Sequence, residues 1–151
     1  MIKNEKHIFK KQYGQNFLNN FKILNLIVES ADVFNKNVVE IGPGKGALTK
    51  LLVLRAKKIL AYEIDFTLKN FLLFPEYHNI HIIYDNFLKR DLEKDFKQYF
   101  DIEQEEVVLV GNLPYHIVSA VLFRIFSISR IKSFTIMLQK GAPKRPKYRV
   151  I

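Results

Sequence analysis

Short runs of β-branched and aliphatic residues alternate along this chain with segments of helical spacing, and that alternation leaves few folds open to it. The runs are Asn37–Gly42 (NVVEIG), Lys58–Asp65 (KILAYEID), Ile80–Asp85 (IHIIYD), Glu106–Asn112 (EVVLVGN) and Ser133–Gln139 (SFTIMLQ). They are nearly continuous in apolar character, as parallel strands are when helices cover both of their faces. Between them, Phe21–Ala31 carries Ile23, Leu24, Ile27 and Val28 as one apolar stripe. Ala47–Arg55, Thr67–Phe74 and His116–Ser127 also read as helices, with Leu92–Phe100 a weaker one. The expectation is an α/β domain of three layers with a mostly parallel sheet and right-handed crossovers.

Charge is concentrated at the two ends. Residues 1–11 hold four lysines against Glu5, and residues 140–151 hold five basic residues and no acid. Most of the formal net charge of +9 therefore lies outside the body. Basic ends on a near-neutral body suit contact with phosphate backbones, although solvated termini carry the same signature. The organisation expected is a basic arm over 1–20, a ligand-binding domain over 21–140 and a basic, unstructured tail over 141–151. No apolar run reaches the 18 or more residues of a membrane helix, and the basic start has no signal-peptide core. With no cysteine, neither a disulfide framework nor a thiolate metal site is available. His78 and His81 have no cysteine or acid in register, so no metal is expected. A cytoplasmic monomer without membrane contact is the reading.

The first run ends in Glu40-Ile41-Gly42-Pro43-Gly44-Lys45-Gly46, where a strand should turn into a helix. Open α/β sheets bind ligands at such a turn, and glycines there allow positive φ and close backbone approach. The spacing is G-x-G-x-G rather than the G-x-G-x-x-G of dinucleotide enzymes. Glu63, at the end of the second run, is placed to accept from ribose hydroxyls, and Asp85, at the end of the third, to face an adenine amino group. Gly42, Gly44, Glu63 and Asp85 together make the S-adenosylmethionine pattern of class I methyltransferases. A nicotinamide enzyme is the competing reading of the loop, and Asp65 reads as a helix cap.

After the fourth run comes Asn112-Leu113-Pro114-Tyr115. Methyl transfer to an exocyclic amine needs acceptors for both N–H groups, because the nitrogen lone pair is delocalised into the ring. The Asn112 side chain and the Leu113 carbonyl can accept, Pro114 can stiffen the loop, and Tyr115 can stack on an extruded base. In isolation the same tetrapeptide would read as an Asn-Pro turn with a half-buried tyrosine.

Gln12–Leu18 (QYGQNFL), Glu40–Leu52 (EIGPGKGALTKLL), Tyr62–Asp65 (YEID), Gly111–Tyr115 (GNLPY) and Met137–Lys140 (MLQK) occur in an order and spacing that resembles the KsgA-type small-subunit ribosomal RNA adenine dimethyltransferases. The resemblance runs over about residues 7–140. It implies a Rossmann-like class I fold, S-adenosylmethionine as cofactor, and dimethylation of two adjacent adenines near the 3′ end of small-subunit rRNA. The immature small ribosomal subunit would be the partner. It further implies that Asn16 and Leu18 close over the cofactor, that Gly42 lies against its methionine part and that Glu63 binds its ribose. Asp85 would bind its adenine, and Asn112 would bridge cofactor and target base.

The macrolide-resistance methyltransferases of large-subunit rRNA share QNFL and the Asn-x-Pro-Tyr loop and are the alternative. The small-subunit family that the chain resembles continues after MLQK with a helix, two further strands, a proline-rich loop and a helical RNA-binding domain. Here MLQK runs into GAPKRPKYRVI. The expectation is a shortened fold lacking its last strands, with Ser133–Gln139 as an exposed edge. Such a chain would bind cofactor with little turnover, or serve as an inactive RNA-binding fragment.

Overall fold

The computed structural model describes residues 20–100, 105–140 and 147–151. Among the described residues, six strands form one sheet in the order β3-β2-β1-β4-β5-β6. They are β1 (Asn37–Ile41), β2 (Lys58–Tyr62), β3 (Ile80–Ile83), β4 (Val107–Leu113), β5 (Ile131–Lys140) and β6 (Lys147–Val150). The first five are parallel neighbours, and β6 runs antiparallel to β5. The helices are α1 (Phe21–Ala31), α2 (Ala47–Leu52), α3 (Leu92–Tyr99) and α4 (Val118–Phe126).

The apolar runs become strands because both of their faces are buried. In β1, Val38 joins a core with α1 and α2, while Val39 and Ile41 join a second core with α3 and α4. Strand β4 divides in the same way, Val108 and Val110 to the first core and Val107 and Leu109 to the second. Helix α1 starts where Asn20 accepts from the Lys22 and Ile23 N–H groups, and it stops at Asp32 in the left-handed region. The two central strands pack tightly at Gly111, where an added Cβ would lie 3.0 Å from the Ile41 carbonyl oxygen.

Three expectations are corrected. Thr67–Phe74 does not form an α-helix; Phe66–Phe71 makes a short 3-10 helix, capped by Asp65, which accepts from the Thr67 N–H at 3.0 Å. The fourth strand runs one residue beyond the expected Asn112, through Leu113. The stretch read as an unstructured tail contains β6, so β5 is not an open edge. Ile151 and Ile136 exchange both backbone hydrogen bonds, at 2.8 and 3.0 Å, and the ladder continues to Lys140 opposite Lys147.

Candidate active site

Strand register decides which residues meet. Ile41 pairs with Tyr62 on one side and Gly111 on the other, and Tyr62 pairs with Ile83. One residue further on, Gly42, Glu63, Tyr84 and Asn112 stand level across four neighbouring strand ends, and Asp85 follows Tyr84. The candidates Gly42, Gly44, Glu63, Asp85 and Asn112 thus gather at the carboxyl ends of the strands, Asn112 within β4 and the others in the loops that follow β1, β2 and β3. Asn16 and Leu18 lie outside the described residues.

The turn after β1 has φ of 68°, 60° and 82° at Gly42, Gly44 and Gly46. A Cβ at Gly42 would meet nothing closer than the Asn112 carbonyl oxygen at 3.8 Å, so backbone conformation rather than space requires glycine there. The Gly46 N–H closes the turn by donating to the Pro43 carbonyl at 2.8 Å.

Glu63 is 3% exposed and spans the gap between this turn and its own loop. Its Oε2 accepts from the Gly44 N–H at 3.0 Å, and its Oε1 from the Asp65 N–H at 2.9 Å. Burial raises its pKa, against the lowering effect of those two backbone donors. The carboxylate is held in one orientation, and each oxygen keeps capacity for a further donor. A diol-bearing ligand beside the glycine turn fits this donor and acceptor set.

Beneath the turn lies Glu40, 1% exposed, whose Oε2 accepts from the Thr49 Oγ1 hydroxyl at 2.8 Å. Burial pushes its pKa up to about 8, Thr49 pulls the other way, and the charge of Glu63 adds to the rise. Sequence reasoning gave Glu40 no role. The signal was there, since an acid inside VVEIG is the one charge in an otherwise apolar strand.

Asp85 is half exposed, with its Oδ1 accepting from the Asn86 N–H at 2.7 Å. At the other side of the turn, Asn112 is partly buried and Leu113 is buried. Pro114 is extended, with φ −62° and ψ 140°. Tyr115 then opens a 3-10 turn and is 77% exposed. The tyrosine is therefore not packed into either core of the sheet. His81 stacks on Tyr99, ring centroids 4.1 Å apart, and among the described residues no three candidate metal ligands come together.

The sequence matches the ribosomal RNA adenine dimethylase family over residues 6–147. The ribosomal RNA small subunit methyltransferase A of Aster yellows witches'-broom phytoplasma is 57% identical over 139 residues, covering 92% of this chain and 52% of that protein. The chain therefore spans about half the length of the curated relatives it matches. Among solved structures, the 23S rRNA methyltransferase ErmE superposes with a TM-score of 0.67 at 30% identity, over 83% of this chain and 48% of that one. A dimethyladenosine transferase from Plasmodium falciparum gives 0.66 at 28% identity, over 83% and 44%.

Proposed function

The chain belongs to the ribosomal RNA adenine dimethylase family, and from that premise we propose that it carries the cofactor site and catalytic loop of an enzyme methylating small-subunit rRNA. The reaction transfers methyl groups from S-adenosylmethionine to N6 of two adjacent adenines near the 3′ end, during assembly of the small subunit in the cytoplasm. The observation that carries this reading is the alignment of Gly42, Glu63 and Asn112 across the strand ends, beside an exposed Tyr115.

When bound, S-adenosylmethionine supplies a methyl group activated by its sulfonium. The Gly42–Gly46 turn would let the backbone approach the methionine part, and Glu63 would accept from the ribose hydroxyls. Asp85 would accept from the cofactor's adenine amino group, and Asn16 and Leu18, outside the described residues, would close over the cofactor. On the target side, the Asn112 side-chain oxygen and the Leu113 carbonyl accept from the two N–H groups of the adenine amine. That turns the nitrogen towards sp³ and frees its lone pair. Pro114 fixes the loop, and the Tyr115 ring stacks on the extruded base. The amine proton leaves to water after transfer, so no strong base is needed. The basic ends supply contacts to RNA phosphates.

A large-subunit adenine is the second reading, favoured by the likeness to ErmE. The higher identity to relatives named for the small subunit supports the first. Calorimetric titration with S-adenosylmethionine tests the site. Glu63→Ala should weaken binding by about 1.5–3 kcal/mol, the range for losing hydrogen bonds to a charged group. Equal affinity in the two proteins would remove Glu63 from the ribose site.

A further inference from the structure

Four side chains form a continuous bridge from the interior to Asp85. Its centre is Asp95 on α3, a carboxylate only 2% exposed. Asp95 Oδ2 accepts from the Tyr62 hydroxyl at 3.0 Å, and Tyr62 is the last residue of β2, next to Glu63. Asp95 also takes a two-pronged contact from Arg90, Nη2 to Oδ1 at 2.7 Å and Nε to Oδ2 at 3.0 Å. The remaining prong, Arg90 Nη1, reaches Asp85 Oδ2 at 3.3 Å. Behind it, Arg124 Nη2 donates to the Arg90 backbone carbonyl.

An exposed ion pair between two free side chains would order little, because its entropy cost offsets a screened attraction. Here the guanidinium is already fixed by the buried carboxylate. Asp95 takes two of the five N–H donors, and Nη1, held in the same plane, meets Asp85. With Asn86 N–H on Oδ1 and Arg90 on Oδ2, the Asp85 carboxylate is held at both oxygens. An ionised carboxylate has about four acceptor sites, so capacity remains for an incoming amino group.

We propose that Arg90 is a positioning residue for ligand specificity: anchored by Asp95 and Tyr62, it aims the Asp85 carboxylate so that the site prefers a 6-amino purine over a 6-oxo purine. The inference rests on the reading of Asp85 as the group facing the cofactor's adenine. It explains why a half-exposed acid at a strand end can discriminate at all, since a freely rotating carboxylate would accept from either donor pattern.

The test is calorimetric binding of S-adenosyl-L-homocysteine and of its 6-oxo counterpart, S-inosyl-L-homocysteine, to the 151-residue chain. The wild type should prefer the adenosyl ligand, and Asp85→Ala should abolish that preference. Arg90→Gln should cut the preference by about tenfold, in line with loss of an oriented charged hydrogen bond, while leaving S-inosyl-L-homocysteine affinity unchanged. Arg90→Lys keeps a charge on Asp95 and so the fold, but a point charge cannot hold two carboxylates as a fork does, and its preference should fall as well. A purely structural role would lower the melting midpoint and both affinities together. Loss of preference in Asp85→Ala with a wild-type ratio in folded Arg90→Lys would overturn the proposal. A wild-type ratio in Asp85→Ala would instead overturn the reading of Asp85 on which it stands.

Discussion

Glu40 and Glu63 place two buried carboxylates by one glycine turn, and burial raises the pKa of both. A carboxyl whose folded pKa lies above its ordinary value binds its proton more tightly in the folded state. For Glu40 the stabilising contribution is complete below the ordinary value of 4.5 and is lost as pH rises through about 8. The melting midpoint should therefore decline across that window, and Glu40→Gln should flatten the decline. A Gln variant with the wild-type pH profile would show that Glu40 does not carry the effect. At the catalytic loop, Tyr115→Ala should slow methyl transfer by the equivalent of about 1–3 kcal/mol of lost base stacking, whereas Tyr115→Phe should be mild because the ring does the stacking. Single-turnover rates on rRNA compare the two, and a Phe variant as impaired as Ala would assign the work to the hydroxyl.

At the scale of elements, the parallel core of the sheet was legible because its strands are buried on both faces and read as unbroken apolar runs. The positions of Gly42, Glu63 and Asn112 followed from their places at run ends. Strand β6 was not legible. Lys-Tyr-Arg-Val is a short run with two charges, its pairing with β5 is fixed by the partner rather than by local pattern, and edge strands tolerate charge. The Phe66–Phe71 segment misled in the other direction. Its apolar spacing suits an α-helix, yet Phe66–Phe71 closes as a 3-10 helix that ends at Leu72, and Pro75 disfavours helical backbone at Phe74 beyond it. The Arg90–Asp95 contact escaped because a separation of five is not a helix-face pair and Arg90 precedes the helix. Since Ile151 and Ile136 form a hydrogen-bonded pair, alternation makes Arg149 and Leu138 another. Arg149→Pro should then lower the melting midpoint, while Arg149→Gln should not. Equal midpoints for the two variants would mean that β6 adds nothing to the stability of the sheet.

At the scale of the whole molecule, the strand ends that would bind the cofactor lie on one body with the loop that would meet the base. The relatives extend to about twice this length. The decisive measurement therefore uses residues 1–140 continued by the remaining half of the phytoplasma relative, incubated with methyl-labelled S-adenosylmethionine and with each ribosomal subunit from cells lacking the dimethyladenines. N6,N6-dimethyladenine should form at two adjacent positions near the 3′ end of small-subunit rRNA, and Asn112→Ala should abolish it in a protein that still folds. Label confined to large-subunit rRNA, or methylation that survives Asn112→Ala, would contradict the proposed function.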